Sequence, residues 1–197
     1  MKYYENHKLN IILLFSMILV LYSSCNEEET ITDSNNNIIT GSLTDTRDGT
    51  VYATITIGSQ VWMAENLRYL PFVDGPATGS TIFPVYYVYG YDGFNVNDAK
   101  ANSNYAKYGV LYNWTAANNS CPDGWHLPND DEWTTLIDFL GGEQVAGGVM
   151  KEDGSNNWSS PNAGATNTSG FTALPAGTRS FNGSSFDFSS LGQQTNY

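Results

Sequence analysis

Residues 121–142 constrain the fold more tightly than any other stretch: Cys121-Pro-Asp-Gly-Trp-His-Leu-Pro128, then Asn129-Asp-Asp-Glu-Trp-Thr-Thr-Leu-Ile-Asp-Phe-Leu140, then Gly141-Gly142. Pro128 keeps the incoming chain extended. Asn129 is a good N-cap, because its side-chain oxygen accepts from an unpaired amide of the first helical turn. Glu132 falls at the third helical position and completes a capping-box pair. Asp130 and Asp131 put negative charge at the positive end of the helix dipole. Trp133, Leu136, Ile137 and Leu140 recur at i, i+3, i+4 and i+7, which is one helical face. Gly141 adopts the left-handed conformation that ends a helix. The pattern predicts a short helix over 130–140.

The flanking sequence reads as strands and loops. Val51-Tyr-Ala-Thr-Ile-Thr-Ile57 alternates apolar and polar residues, Gly58-Ser59 turns the chain, and Gln60-Val-Trp-Met63 resumes, which predicts a β-hairpin. Residues 70–106 are long and irregular, with Pro71, Pro76 and Pro84. Within them Tyr86-Tyr-Val-Tyr-Gly-Tyr91 reads either as a short aromatic strand or as an exposed aromatic platform. Long loops on a rigid scaffold often carry function, so Tyr86, Tyr87, Tyr89 and Tyr91 form the candidate ligand surface. Residues 141–168 are rich in Gly, Asn and Ser, and Trp158 among them is expected to plug a core under a loop. Gly170–Leu174 reads as a strand ending at Pro175. Thr178–Phe181 and Ser185–Phe188 read as a strand pair joined at Asn182-Gly183. No internal repeat is visible. The sum is a loop-rich chain of short strands with at least one helix.

The first 25 residues read as an export signal and not as a fold element. Lys2 and Lys8 precede a largely apolar stretch, Leu9–Tyr22, followed by Ser23, Ser24 and Cys25. The stretch is shorter than the ~20 residues that span a bilayer. A cysteine directly after two small residues resembles a bacterial lipoprotein signal, in which a peptidase cuts before the cysteine and its sulfur takes diacylglycerol. Tyr22 stands where such signals usually have Leu. An ordinary secretory signal and an uncleaved anchor are the alternatives. Asn26-Glu-Glu-Glu29 resembles the acidic tether of surface-exposed lipoproteins in Bacteroidetes-type bacteria. The expected organisation is a leader over 1–24, a flexible polar tether over 25–44 carrying the lipid attachment at Cys25, and one domain over 45–197. The implied location is the outer membrane, facing outward, with the membrane as a partner through the lipid.

Composition narrows the function. A net charge of −12 repels nucleic acid, so no nucleic-acid partner is expected. Charged residues are only 14% of the chain, whereas Tyr (13), Phe (9) and Trp (5) are abundant, which predicts a packed core with rings to spare. With Cys25 lipidated, Cys121 is left without an internal disulfide partner, so it is a buried thiol, an intermolecular bridge or a cysteine whose partner is missing.

Five blocks, in order, resemble the Fibrobacter succinogenes major paralogous domain of exported and lipidated Bacteroidetes and Fibrobacteres proteins. They are Asp48–Tyr52, Ile57–Leu67, Tyr108–Trp114, Cys121–Pro128 and Gly170–Gly177. Trp62, Trp114, Cys121, Trp125 and His126 lie in these blocks, and with Asn129, Glu132 and Trp133 they are expected to be structural motif residues. The stretch from Trp125 to Trp133 is also similar to the Arg-Leu-Pro-Thr-Glu-x-Glu-Trp motif of the formylglycine-generating-enzyme group. That second resemblance implies an α+β, C-type-lectin-like fold with short antiparallel strands and about two helices. It does not carry activity across. In the family, the Phe-x-x-Leu-Gly pattern seen here at 188–192 is followed by further segments and a final strand with a cysteine. The resemblance therefore implies a C-terminally incomplete domain that lacks Cys121's disulfide partner and leaves central strands with an unpaired edge.

Catalysis has little to stand on. His126 is the one histidine after the leader, and an isolated His lacks the positioned partner that acid–base or nucleophilic chemistry needs. No zinc-ligand spacing and no phosphate-binding glycine motif appears. Asp130, Asp131 and Glu132 suit a helix start better than a calcium site. The chain is thus expected to be a non-catalytic interaction module without a cofactor or metal, recognising a glycan or a protein. The alternatives are a structural or accessory subunit of a surface adhesin assembly and, further off, an enzyme related to formylglycine-generating oxidases.

Overall fold

The computed structural model describes residues 2–3 and 39–197. The rest of the leader, Cys25 with its expected lipid, and the tether up to residue 38 lie outside the described residues. The elements in chain order are β1 (Lys2–Tyr3), β2 (Ile39–Thr44), β3 (Val51–Ile57), β4 (Gln60–Met63), β5 (Tyr86–Tyr87), α1 (Val96–Ala101), α2 (Ser103–Tyr108), β6 (Leu111–Tyr112), α3 (Trp114–Asn119), β7 (Trp125–His126), α4 (Asp130–Phe139), α5 (Glu143–Met150), β8 (Thr178–Phe181) and β9 (Phe186–Ser189). The mixture of helices and small antiparallel sheets is α+β.

The predicted hairpin is present. β3 and β4 pair antiparallel from Ile57 opposite Gln60 to Thr54 opposite Met63. Gly58 takes φ +61° at the turn, where an added Cβ would fall 2.8 Å from the Phe139 ring. One expectation about the edges of this hairpin is corrected. Residues 39–44 are not tether: β2 pairs with β3 along its whole length, from Ile39 opposite Thr56 to Thr44 opposite Val51. Leu43 packs against the cluster around Tyr52 and Met63, an apolar anchor that the polar composition of the segment hid. β4 also has a neighbour on its other edge. β1 lies between β4 and β7, antiparallel to both, with Lys2 opposite Trp62 and His126 and Tyr3 opposite Trp125. The five-stranded order is β2-β3-β4-β1-β7, and β5-β6 and β8-β9 form separate two-stranded ribbons.

The described residues contain five helices, against about two expected. α1, α2 and α3 are six residues each, and all three begin at an asparagine whose side chain accepts from amides of the first turn: Asn95, Asn102 and Asn113. α1 and most of α2 fall inside the stretch read as irregular. Helices this short carry almost no hydrophobic periodicity, and the caps alone mark them. α4 begins and ends where its signals predict. Asn129 Oδ1 accepts from the Glu132 amide at 3.0 Å, and the Glu132 carboxylate accepts from the Asn129 amide at 3.0 Å. One predicted strand is absent. Around Gly170–Leu174 only Ala173 bridges, to Lys151. Asn167 captures the Thr172 amide (2.9 Å) and hydroxyl (3.0 Å), curling Thr172 to φ +57° and away from extended backbone.

Strand parity divides the core. Ile55, Ile57 and Trp62 face α4, α5 and Phe171. Tyr52 and Met63 face Leu67 and Trp125 on the opposite side. A third cluster joins Leu70, Val73, Tyr86 and Val88 to Ala99, Val110 and Ala116, knitting the ribbon β5-β6 to the short helices. Trp158 is buried, and its indole N–H donates to the Ala173 carbonyl at 2.9 Å.

Candidate functional site

An open cleft of about 510 Å³ runs past the segment after β4, the ribbon β5-β6, the start of α3 and the hairpin β8-β9. Each wall is fixed by a small number of polar anchors. Tyr112 donates its hydroxyl to the Tyr69 carbonyl and Tyr105 to the Arg68 carbonyl, both at 2.8 Å, which fixes the backbone of the first wall. Burial pushes both phenols above their ordinary pKa, so both stay protonated as donors. Glu65 in this wall is tied down as well. Burial opposes its ionisation, but the Ala53 amide (2.8 Å) and Arg68 guanidinium (2.6 Å) outweigh that and hold the carboxyl below its ordinary range.

Asn113 fixes the second wall. Its Oδ1 accepts from the Val85 and Ala116 amides at 3.1 and 2.9 Å, and its Nδ2 donates to the Ser80 and Phe83 carbonyls, both at 2.8 Å. One side chain thus caps α3, holds the entry to β5 and pins the 80–83 loop. The consequence is positional. Trp114, the first residue of α3, lines the cleft with 76% of its surface exposed, and Phe83 and Ile82 on the pinned loop are 71% and 74% exposed.

Arg179 fixes the third wall. Its guanidinium lies between the Tyr87 ring (4.5 Å) and the Phe188 ring (4.3 Å). One amino group donates to Asp92 at 3.1 Å and the other to the Pro76 carbonyl at 2.8 Å, while Nε is buried without a partner. The side chain therefore clips β8-β9 onto the 74–92 loop. Trp133, Phe171 and Tyr197 complete the cleft, with Trp133 and Phe171 continuing into the core through Trp62 at centroid distances of 4.8 and 5.9 Å.

The sequence-predicted ligand residues separate here. Tyr86 and Tyr87 are buried in β5, which overturns their reading as an exposed platform. Tyr86 sits edge-on against Phe72 and Tyr112, and Tyr87 donates its hydroxyl to the Thr78 carbonyl. Tyr87 still forms cleft wall. Tyr89 is half-buried against Phe188 at 4.9 Å, and half-buried Tyr91 packs on the β5-β6 cluster and accepts from the Asn95 amide at 3.2 Å. A run of aromatics at a two-residue strand feeds both faces, so exposure is lost.

Among the expected motif residues, Trp62 and Trp125 are buried and Trp133 is half-buried against the core. His126 Nε2 lies 2.9 Å from the carboxylate of Glu132, joining β7 to the cap of α4 that Asn129 begins. Cys121 is a free, half-buried thiol whose pKa burial raises. Trp114 departs from the group, because it is exposed instead of packed. Its signal in the sequence is Asn113-Trp114, a cap followed at once by a ring that the first turn of a short helix cannot bury. Asn113 and Arg179 carried no legible signal as anchors, since their partners lie 28–33 and 87–103 residues away. Among the described residues no group of three or more His, Cys, Asp or Glu side chains is placed to hold a metal ion, and no helix is long and apolar enough to cross a membrane.

No curated protein and no solved structure matches the chain significantly. A family model does. The Fibrobacter succinogenes major domain matches residues 55–197, which spans the cleft and the anchors of its walls, and the chain belongs to that family.

Proposed function

We propose that the chain is a surface-exposed bacterial lipoprotein whose domain binds a glycan, without catalysis, at the mouth of the cleft. The observation that carries this reading is the exposed Trp114, held beside the cleft by the four hydrogen bonds of Asn113. Sugar rings present C–H faces that stack on an indole, and the hydroxyls around them need donors and acceptors at the edge of the ring. The cleft supplies these from Asn66, Ser80, Thr178 and Asn196. We read the fold as C-type-lectin-like. Short strands, capped one- and two-turn helices and long loops that carry the binding surface support that reading. The leader that stops just before Cys25 supports display at the outer membrane.

Two measurements test this. Detergent-extracted full chain on a glycan array is expected to give saturable binding to a defined subset of glycans. Trp114→Ala is expected to weaken it about tenfold, with the melting temperature unchanged because the ring packs on solvent. Binding unaffected by Trp114→Ala overturns the site. Failure to bind any glycan, together with stoichiometric co-purification of a protein from outer membranes, replaces the reading with an accessory subunit of a surface assembly. Separately, radiolabelled palmitate is expected to enter the wild-type chain and not Cys25→Ala.

A further inference from the structure

Two side chains of the cleft are each held so that one hydrogen-bonding role is left over. Ser80 Oγ accepts from the Ile82 and Phe83 amides at 3.0 and 2.7 Å. Both lone pairs are then taken, and the hydroxyl proton, which meets no acceptor among the described residues, is the role still open. Asn66 is fixed in the complementary sense. Its Nδ2 donates to the Tyr108 carbonyl at 2.9 Å, which sets the orientation of the amide and leaves Oδ1 as an acceptor without a donor among the described residues. Both residues line the cleft. Asn113 and Thr178 line it too, but Asn113 spends its amide on its own loops and Thr178 shares its hydroxyl with Ser189 at 3.2 Å.

Charge in the cleft is already matched. Of the described lining side chains, only Glu65 and Arg179 are ionised. Glu65 is held by Arg68 and the Ala53 amide, and the Arg179 side chain, 1% exposed, is tied to Asp92. The net charge of −12 opposes a carboxylate or sulfate on the ligand. An ammonium group would enter without a free carboxylate to receive it, and its desolvation would go uncompensated. The buried part of the lining is apolar, with Met63, Leu67, Val110 and Phe171 along it.

On the glycan reading, from which this follows, we propose that the cleft selects a neutral N-acetylated amino sugar. The sugar ring stacks on Trp114, and the acetamido arm reaches inward. Its N–H donates to Asn66 Oδ1, its carbonyl accepts from the Ser80 hydroxyl, and its methyl group lies on the apolar lining. A sugar with only hydroxyls leaves that lining without an apolar partner, and a deoxy sugar supplies a methyl group without the amide.

The test titrates detergent-extracted full chain, by calorimetry, with trisaccharides in matched gluco, galacto and manno series that differ only at the second carbon: acetamido, hydroxyl or free amine. A glucuronic acid trimer is the anionic arm. In at least one series the acetamido sugar is expected to bind about tenfold more tightly than its hydroxyl and amine counterparts and than the anionic trimer. Replacing acetyl with formyl deletes one methyl group and should weaken binding about fourfold. Ser80→Ala and Asn66→Ala should each lower the acetamido-to-hydroxyl affinity ratio about fivefold. Trp114→Ala should weaken both sugars and leave the ratio unchanged. Loosening of the 80–83 loop would act in the same undiscriminating way, so the ratio separates recognition from a structural role. A preference for amine or carboxylate sugars, a wild-type ratio near one, or a ratio that neither Ser80→Ala nor Asn66→Ala moves overturns the proposal and leaves the glycan reading standing. Array glycans that bind and all lack an acetamido group do the same. Binding of no glycan overturns both.

Discussion

At the scale of single residues, asparagine does the organising. Asn95, Asn102, Asn113 and Asn129 each open a helix, and Asn113 also holds two loop carbonyls. Asn113→Ala removes a cap and leaves buried or half-buried partners unpaired. It is expected to lower stability by about 2–3 kcal/mol, read from the urea midpoint, where a cap alone gives ~1. Tyr52 makes a second case. It is fully buried in the core, accepts from the Arg68 amide at 3.0 Å, and burial raises its pKa to about 12. A phenol raised above its unfolded value stabilises the fold fully below pH ~10 and loses that contribution as pH climbs toward 12. Tyr52→Phe is expected to flatten the alkaline limb of stability against pH. A wild-type limb that does not fall between pH 10 and 12 would contradict the assignment.

At the scale of elements, the hairpin β8-β9 is held to the 74–92 loop by Arg179 more than by packing of its own, since Phe181 on it is exposed. Arg179→Ala removes both donors and the stack between two rings, and is expected to cost about 2–4 kcal/mol and to open the hairpin to protease. Arg179→Met keeps the apolar stem and removes a buried cation whose Nε has no partner, so it should recover part of that loss. A Met variant worse than Ala would refute this account. Elements also show what sequence could and could not reveal. The hairpin β3-β4, helix α4 and the pair β8-β9 were legible because alternation, caps and turn dipeptides are local. Helices α1–α3 were hidden because six residues hold less than two turns of pattern, although their asparagine caps stood in plain view. The strand expected at Gly170–Leu174 failed because Asn167, three residues before the segment, claimed the Thr172 amide. The cleft was illegible because Arg179 and the loop-holding half of Asn113 act on partners far along the chain.

At the scale of the molecule, one ion pair ties the entrance of the domain to its middle. Asp45, fully buried, takes the Arg47 guanidinium at 2.6 and 2.8 Å, and the same guanidinium donates to the Ser120 carbonyl at 2.9 Å and stacks on Tyr69 at 3.7 Å. The hydrogen bond from Arg47 is the main cause holding the Asp45 carboxyl below 3.8. A depressed carboxylate stabilises the fold above its unfolded pKa and loses that contribution as pH falls through the folded value. Wild-type stability should therefore drop below pH ~4, and Asp45→Asn should be less stable at pH 7 by about 1–3 kcal/mol with a shallower acid limb. Parallel acid limbs in the two proteins would exclude the pair as the cause. The exposure of Trp114 has an optical consequence. Of the five tryptophans, Trp62, Trp125 and Trp158 are sealed and Trp133 is half-covered, so a dissolved quencher such as iodide reaches one indole first. Emission from that ring is a built-in gauge of occupancy, shifting to shorter wavelength and escaping quenching whenever something settles over it, with no label attached.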